Sequence, residues 1–116
     1  MPETISRGDV VEANLDPTAG SEIRKRRRCV VVQNDIGNKY SPVTIVVPAA
    51  SAENVPKLFP VNVAVGPGNG FTKPAVILCN QIRAIDKSRI LRTHGRLPAD
   101  LMQKVDAAIK ISLALK

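Results

Sequence analysis

The sequence predicts an α+β domain in which several short strands form a small curled sheet or barrel packed on one C-terminal helix. Three observations lead there. Short, apolar, β-branched runs recur through the first two-thirds of the chain. Clusters of Gly, Pro, Asn and Asp separate them. Only the last segment changes to a helical period.

The elements follow in order. Asp9–Leu15 partly alternates and runs into the turn signal Asp16-Pro17-Thr18-Ala19-Gly20. Cys29–Gln33 is apolar and β-branched, as in a buried strand, and Asn34–Asn38 is a loop of turn formers. Thr44–Val47 is a second buried strand, ended by Pro48. Val61, Val63 and Val65 alternate with Asn62 and Ala64, the pattern of a half-buried strand. Gly66–Gly70 makes a turn or flexible loop; Ala75–Cys79 is strand-like, and Ile82–Ile85 continues it. From Pro98 to Leu115, apolar residues at Leu101, Val105, Ala108, Ile109 and Leu113 share one helix face. Pro98 suits a first helical turn. Asp100 near the start and Lys110 and Lys116 near the end match the helix dipole. Without repeats or a linker, residues 1–116 read as one domain.

Composition narrows the function. A hydrophobic content of 44% supplies one core. Aromatics (Tyr40, Phe59, Phe71) make up only 3%, which argues against a sheet that stacks bases on exposed rings. Seventeen Lys and Arg against ten Asp and Glu give +7, an excess suited to a polyanion. No apolar run approaches the roughly 20 residues of a spanning helix. Met1-Pro2-Glu3-Thr4 lacks the basic and apolar regions of a signal peptide. A cytoplasmic protein with no membrane partner is expected. Cys29 and Cys79 read as reduced core thiols. With no CxxC motif and a single histidine, His94, neither a metal nor a cofactor is expected.

The sharpest local feature is Arg24-Lys25-Arg26-Arg27-Arg28, placed between a turn and a buried strand. Same-face neighbours about 7 Å apart repel by roughly 0.6 kcal/mol per pair in water, so the run is tolerable. Four of the five are Arg, whose planar fork suits phosphate. Other cations (Lys39, Lys73, Arg83, Lys87, Arg89, Arg92, Arg96) lie far off in sequence. His94, near the predicted helix, is expected in a surface loop.

A series of motifs then resembles the MazF/PemK toxins of bacterial toxin–antitoxin pairs. They are Arg7-Gly8-Asp9-Val10-Val11, Leu15–Glu22, Val30–Asn38, Ser41-Pro42, Val76-Ile77-Leu78, Gln81–Lys87 and the helix from Lys104 to Leu115. The resemblance covers nearly the whole chain. It implies an SH3-like antiparallel β-barrel with a C-terminal helix, forming a homodimer. It implies a metal-independent endoribonuclease that cuts single-stranded RNA sequence-selectively and inhibits growth, blocked by a cognate antitoxin with an acidic, apolar C-terminal tail.

It also implies a site. The family's first loop carries Glu-Gln-x-Gly-x-Arg-Pro. Glu22 matches, Arg27 falls on the catalytic Arg, and Ile23, Lys25 and Arg28 replace Gln, Gly and Pro. The family's catalytic Thr or Ser falls on Ala50, with Ser51 beside it as the available hydroxyl. Asn80 stands where an acidic residue is common, and Asn cannot transfer protons near neutral pH. The expected catalytic residues are thus Arg27 and Ser51. The expected RNA-binding residues are Ser21, Glu22, Arg24, Lys25, Arg26, Arg28, Asn34, Asn80 and Gln81. Two alternatives stay open: a catalytically weakened RNA-binding member, and a gyrase-directed toxin of the same fold.

Overall fold

The computed structural model describes residues 4–116; the N-terminal stretch read as lacking a signal peptide lies mostly outside them. Seven strands and two α-helices are present among the described residues: β1 (Asp9–Asn14), β2 (Arg26–Val31), α1 (Asp35–Tyr40), β3 (Val43–Ser51), β4 (Asn62–Val65), β5 (Ala75–Leu78), β6 (Arg83–Asp86), β7 (Ile90–Arg96) and α2 (Ala99–Ser112). The sheet runs β4-β5-β3-β2-β1-β7, with β6 on β3, and every pairing is antiparallel.

Strand β3 organises the site. Its residues Val46, Val47 and Pro48 pair with β2, whereas Ala49, Ala50 and Ser51 pair with β5. The strand therefore leaves one neighbour for another at Pro48. A missing backbone N–H is harmless at that change of partner, so Pro48 sits inside the strand and does not end it. Strand β2 begins at Arg26 rather than Cys29: Arg26, Arg27 and Arg28 pair with Asn14, Ala13 and Glu12 of β1.

Two apolar clusters form, one on each face, where one core was expected. Val10, Val30, Val47, Phe71 and Ile77 pack with Val105 and Ala108 of α2. Val11, Leu15, Cys29, Val31, Val46 and Ile85 fill the other face. Consecutive apolar residues in β1 and β2 serve both sides, the pattern of strands covered on both faces.

Three further expectations change. Asn34–Asn38 is largely helical: Asn34 caps α1 by accepting from Gly37 N at 2.8 Å. Residues 90–96 form β7, which the sequence reading missed. The C-terminal helix stops at Ser112. Ala114 takes φ +56, Leu115 N donates to Lys110 O (2.8 Å) and Ala114 N to Ile111 O (3.2 Å), a Schellman end. Leu113 is consequently half-exposed.

Most of the early motif residues hold this frame. Gly8, at φ +97, lets the chain turn into β1 while its N–H donates to Val31 O at 2.8 Å. Asp9 accepts from Ser6 N, and Arg7 ties Val32 O to Asp106 of α2. Gln33, Asn38 and Thr44 make a buried hydrogen-bond cluster under α1.

Candidate RNA-binding cleft

Where β3 parts from β2 a wedge opens. Arg26, Arg27 and Arg28 form one wall and Ala49, Ala50 and Ser51 the other. Phe71–Ala75, the approach to β5, close the cleft. This segment belongs to the loop after β4, which is pinned against the far side of the sheet. Gly70 packs on Val10, and the Asn69–Gly70 backbone lies against Gly95 of β7.

Phosphate chemistry is concentrated here. Arg28 Nε is buried without a hydrogen-bond partner. Buried donors are normally satisfied, so this one is an unmet polar group in a residue that lines the cleft. Arg27 Nε donates to Arg24 O at 2.9 Å, which fixes the side chain and leaves its outer nitrogens for a ligand. Lys73 adds a cation from the opposite wall, 3.6 Å from Glu53. Ser51 ends β3 and precedes a 3₁₀ turn that it does not cap with its side chain.

The loop from β1 to β2 is braced from several directions. Asp16 Oδ1 accepts from Lys25 N at 3.2 Å, Leu15 N donates to Lys25 O at 3.0 Å, and Arg89 donates to the carbonyls of Asn14 and Asp16. Lys25 takes φ +71, in the left-handed region. It is the position that the resemblance sets against the loop's Gly, and here a non-glycine residue holds that conformation.

A second hollow, of about 400 Å³, lies under this loop. Ser21, Glu22 and Ile23 meet Asn80, Gln81 and Arg83 there. Ile23 N donates to Gln81 Oε1 at 2.6 Å, tying loop to β5–β6 turn. Glu22 Oε1 accepts from Ala19 N at 2.6 Å.

The expected residues divide accordingly. Arg26, Arg27, Arg28 and Ser51 line the wedge, and Ser21, Glu22, Asn80 and Gln81 line the hollow. Arg24 and Lys25 are exposed on the loop between. Asn34 stands beyond the other end of β2, where its side chain caps α1. Thr72, Lys73 and Arg83 join the two clefts without having been singled out as site residues. Lys73 and Arg83 were visible as cations, but only the strand pairing brings them close. Two of the other distant cations brace the fold: Arg96 pairs with Asp9, and Lys87 donates to Asn38 O.

His94 is a correction. It is the extra residue of a bulge in β7, between the pairs Val11–Thr93 and Val10–Gly95. Its side chain is only 19% exposed and Nε2 lies 2.8 Å from Glu12 Oε1, so it is no loop residue. This bond above all, aided by the charges of His94, Arg92 and Arg26, holds the Glu12 carboxyl below the usual range. The two cysteines are free and buried, and burial pushes each thiol up to about 12. They are inert packing groups.

A family model described as PemK-like, MazF-like toxin of type II toxin-antitoxin system matches residues 6–113. The chain belongs to this family. Endoribonuclease EndoA of Bacillus subtilis (strain 168) is 44% identical over 112 residues, 96% of each chain. Among solved structures, MazF (Form-I) from Deinococcus radiodurans aligns with a TM-score of 0.84 at 24% identity, over 97% of this chain and 99% of that one. An endoribonuclease in complex with its cognate antitoxin from Mycobacterial species aligns with a TM-score of 0.79 at 20% identity, over 97% of both chains. These structures share the fold: the antiparallel sheet with its C-terminal helix is the MazF-type scaffold.

Proposed function

We propose that this MazF-type toxin is an endoribonuclease that binds single-stranded RNA in the wedge between β2 and β3 and cuts it without a metal. The observation that carries the proposal is the convergence of Arg26, Arg27, Arg28 and Lys73 on one cleft. The relationship to a protein named endoribonuclease, at 44% identity, supports it.

The chemistry uses the substrate's own nucleophile. The 2′-oxygen attacks the adjacent phosphorus, the new P–O bond forms as the bond to the 5′-oxygen breaks, and a cyclic phosphate remains. The 2′-hydroxyl gives its proton to solvent water, and the departing 5′-oxygen takes one up from solvent. Charge gathers on the non-bridging oxygens in the transition state. Arg27 supplies the donors that strengthen there, as a preorganised cation does; Arg26 and Arg28 leave the other face of β2 and can hold a neighbouring phosphate of the same RNA. Ser51 offers a hydroxyl to the same phosphate from the opposite wall.

A second reading is binding without cleavage, favoured by Ala50 and Asn80, which remove the hydroxyl and the carboxylate usual at those positions. A substrate with a single 2′-deoxy nucleotide at the cut site separates the two. Protection there supports cleavage by the 2′-hydroxyl; continued cutting at the modified position contradicts it. The biological setting follows: a cytoplasmic homodimer, held inactive by an antitoxin whose acidic, apolar tail occupies the basic cleft. No helix among the described residues is long and apolar enough to cross a membrane.

A further inference from the structure

We infer that His94 is a positioning residue for RNA binding: it draws the Glu12 carboxylate toward β7 and so keeps Arg28 unpaired for phosphate. The inference rests on the RNA-binding reading above and adds a residue that acts through others, touching neither the RNA nor the reacting atoms.

Three strands compete for one carboxylate. Glu12 stands at the centre of a cross-strand row, opposite Arg28 of β2 on one side and Arg92 of β7 on the other. Directly opposed residues of antiparallel strands share a face, and opposite charges placed so ordinarily attract. Glu12 nonetheless turns to β7. Its Oε1 lies 2.8 Å from His94 Nε2 and 3.9 Å from Arg92 Nε. Among the described residues neither Arg26 nor Arg28 forms an ion pair. Arg28 Nε is buried without a hydrogen-bond partner. A cation opposite a carboxylate that it does not bind has lost it to a better partner. That partner is His94: its bond to Glu12 is short and largely shielded from water, whereas Arg92 is exposed and at the limit of an ionic contact.

The bulge gives His94 this place. Val11 pairs with Thr93 and Val10 with Gly95, so His94 is inserted between the two pairs and its ring meets the Glu12 carboxylate. Bulges re-aim side chains in this way beside functional sites. Gly95, the next residue, is seated on the Asn69–Gly70 backbone, which fixes the bulge from its other end. The effect reaches the wedge because Arg28 lines it. An arginine paired with a carboxylate must give that partner up before it takes a phosphate; one left unpaired need not.

The test measures binding of a single-stranded RNA that carries a 2′-deoxy nucleotide at the cut site, over a range of salt concentrations. His94→Leu releases the carboxylate to Arg28. Affinity should fall about tenfold, the worth of one hydrogen bond to a charged group. The slope of log affinity against log salt should become shallower by about 0.7, one phosphate contact on a single strand. His94→Leu combined with Glu12→Gln removes the competing charge, so affinity and slope should return to the parent's. Arg28→Gln should weaken the parent to the same degree and cost nothing more in the His94→Leu background. His94→Gln keeps a donor for Glu12 and serves where leucine unfolds β7; it should bind as the parent does, and weaker binding by this folded variant would count against the inference. Parent-like binding by His94→Leu would overturn it. So would a double variant as weak as the single one, which would show that His94 acts through the fold of β7. Parent protein that binds no RNA would instead sink the RNA-binding reading.

Discussion

Gly95 is the residue through which β7, remote in sequence from the basic run, controls the wedge. It pairs with Val10, and the backbone of Asn69 and Gly70 is pressed against it. A methyl group there would lie 2.6 Å from Asn69 C and Gly70 N and 2.7 Å from Asn69 O. Ordinary contact starts at 3.4 Å, so the shortfall is about 0.8 Å. The obstacle is backbone, and Gly70 (φ +108) is itself backed by Val10, so no side-chain rotation relieves it. Gly95→Ala must lift the loop by that amount. Overpacking of this kind costs about 1–3 kcal/mol. At roughly 4 °C per kcal/mol for this length, the melting temperature should fall by about 4–12 °C. The loop leads directly into Phe71–Pro74, one side of the wedge, and displacements near 1 Å at a reacting centre cost on the order of 100-fold. Single-turnover cleavage at 25 °C, where the variant stays folded, should therefore slow by tens of fold. Parent-like melting together with parent-like cleavage would refute the idea that the Gly95 contact seats this wall.

Other expectations follow from single groups. Lys25→Gly should hold or raise stability by up to about 1 kcal/mol, since the left-handed conformation costs a non-glycine residue about 1–2 kcal/mol, partly offset by the freer unfolded chain; a clear loss in denaturant titration would mean that the lysine side chain supports the loop. Glu12 is held below its usual 4.5, so its contribution is complete above that value and fades as pH falls through the lower, folded one; Glu12→Gln should be less stable than the parent near neutrality, the gap closing in acid, and a gap constant with pH would contradict this. Cys29 and Cys79 have folded values raised to about 12, so the unfolded chain releases those protons first and stability should decline from about pH 9 upward. At pH 8 both thiols should label only upon unfolding, and rapid labelling of native protein would count against their burial. Arg7→Ala removes bonds to Val32 O and Asp106 and should cost about 1–3 kcal/mol in urea melts; a neutral result would mean that α2 is held by its apolar face alone.

Much of this was legible in the sequence because it depends on local pattern. The valine-rich runs, the helix face of Leu101, Val105 and Ala108, and the turn at Gly66–Gly70 were readable from period and turn chemistry. What failed depended on distant partners. Pro48 looked like a stop because its missing donor matters only if β3 keeps one neighbour, and it does not. Strand β7 was hidden: its bulges at Leu91 and His94 break the alternation that marks a strand. His94 looked like a loop residue because nothing near it in sequence announces Glu12. The site shows the same division. The arginine run was plain, whereas the contributions of Lys73 and Arg83 required the β3–β5 and β3–β6 pairings. Several motif residues that carried the family resemblance, including Arg7, Gly8, Asp9 and Asn34, proved to hold the frame; a resemblance alone does not separate frame from site.

The most direct test is to incubate purified, antitoxin-free protein with a long defined single-stranded RNA in EDTA, and map the 5′ ends. The proposal expects cuts at a recurring short sequence, leaving 5′-hydroxyl ends, slowed by on the order of 100-fold or more in Arg27→Ala. Intact RNA, or parent-like cutting by Arg27→Ala, would contradict it.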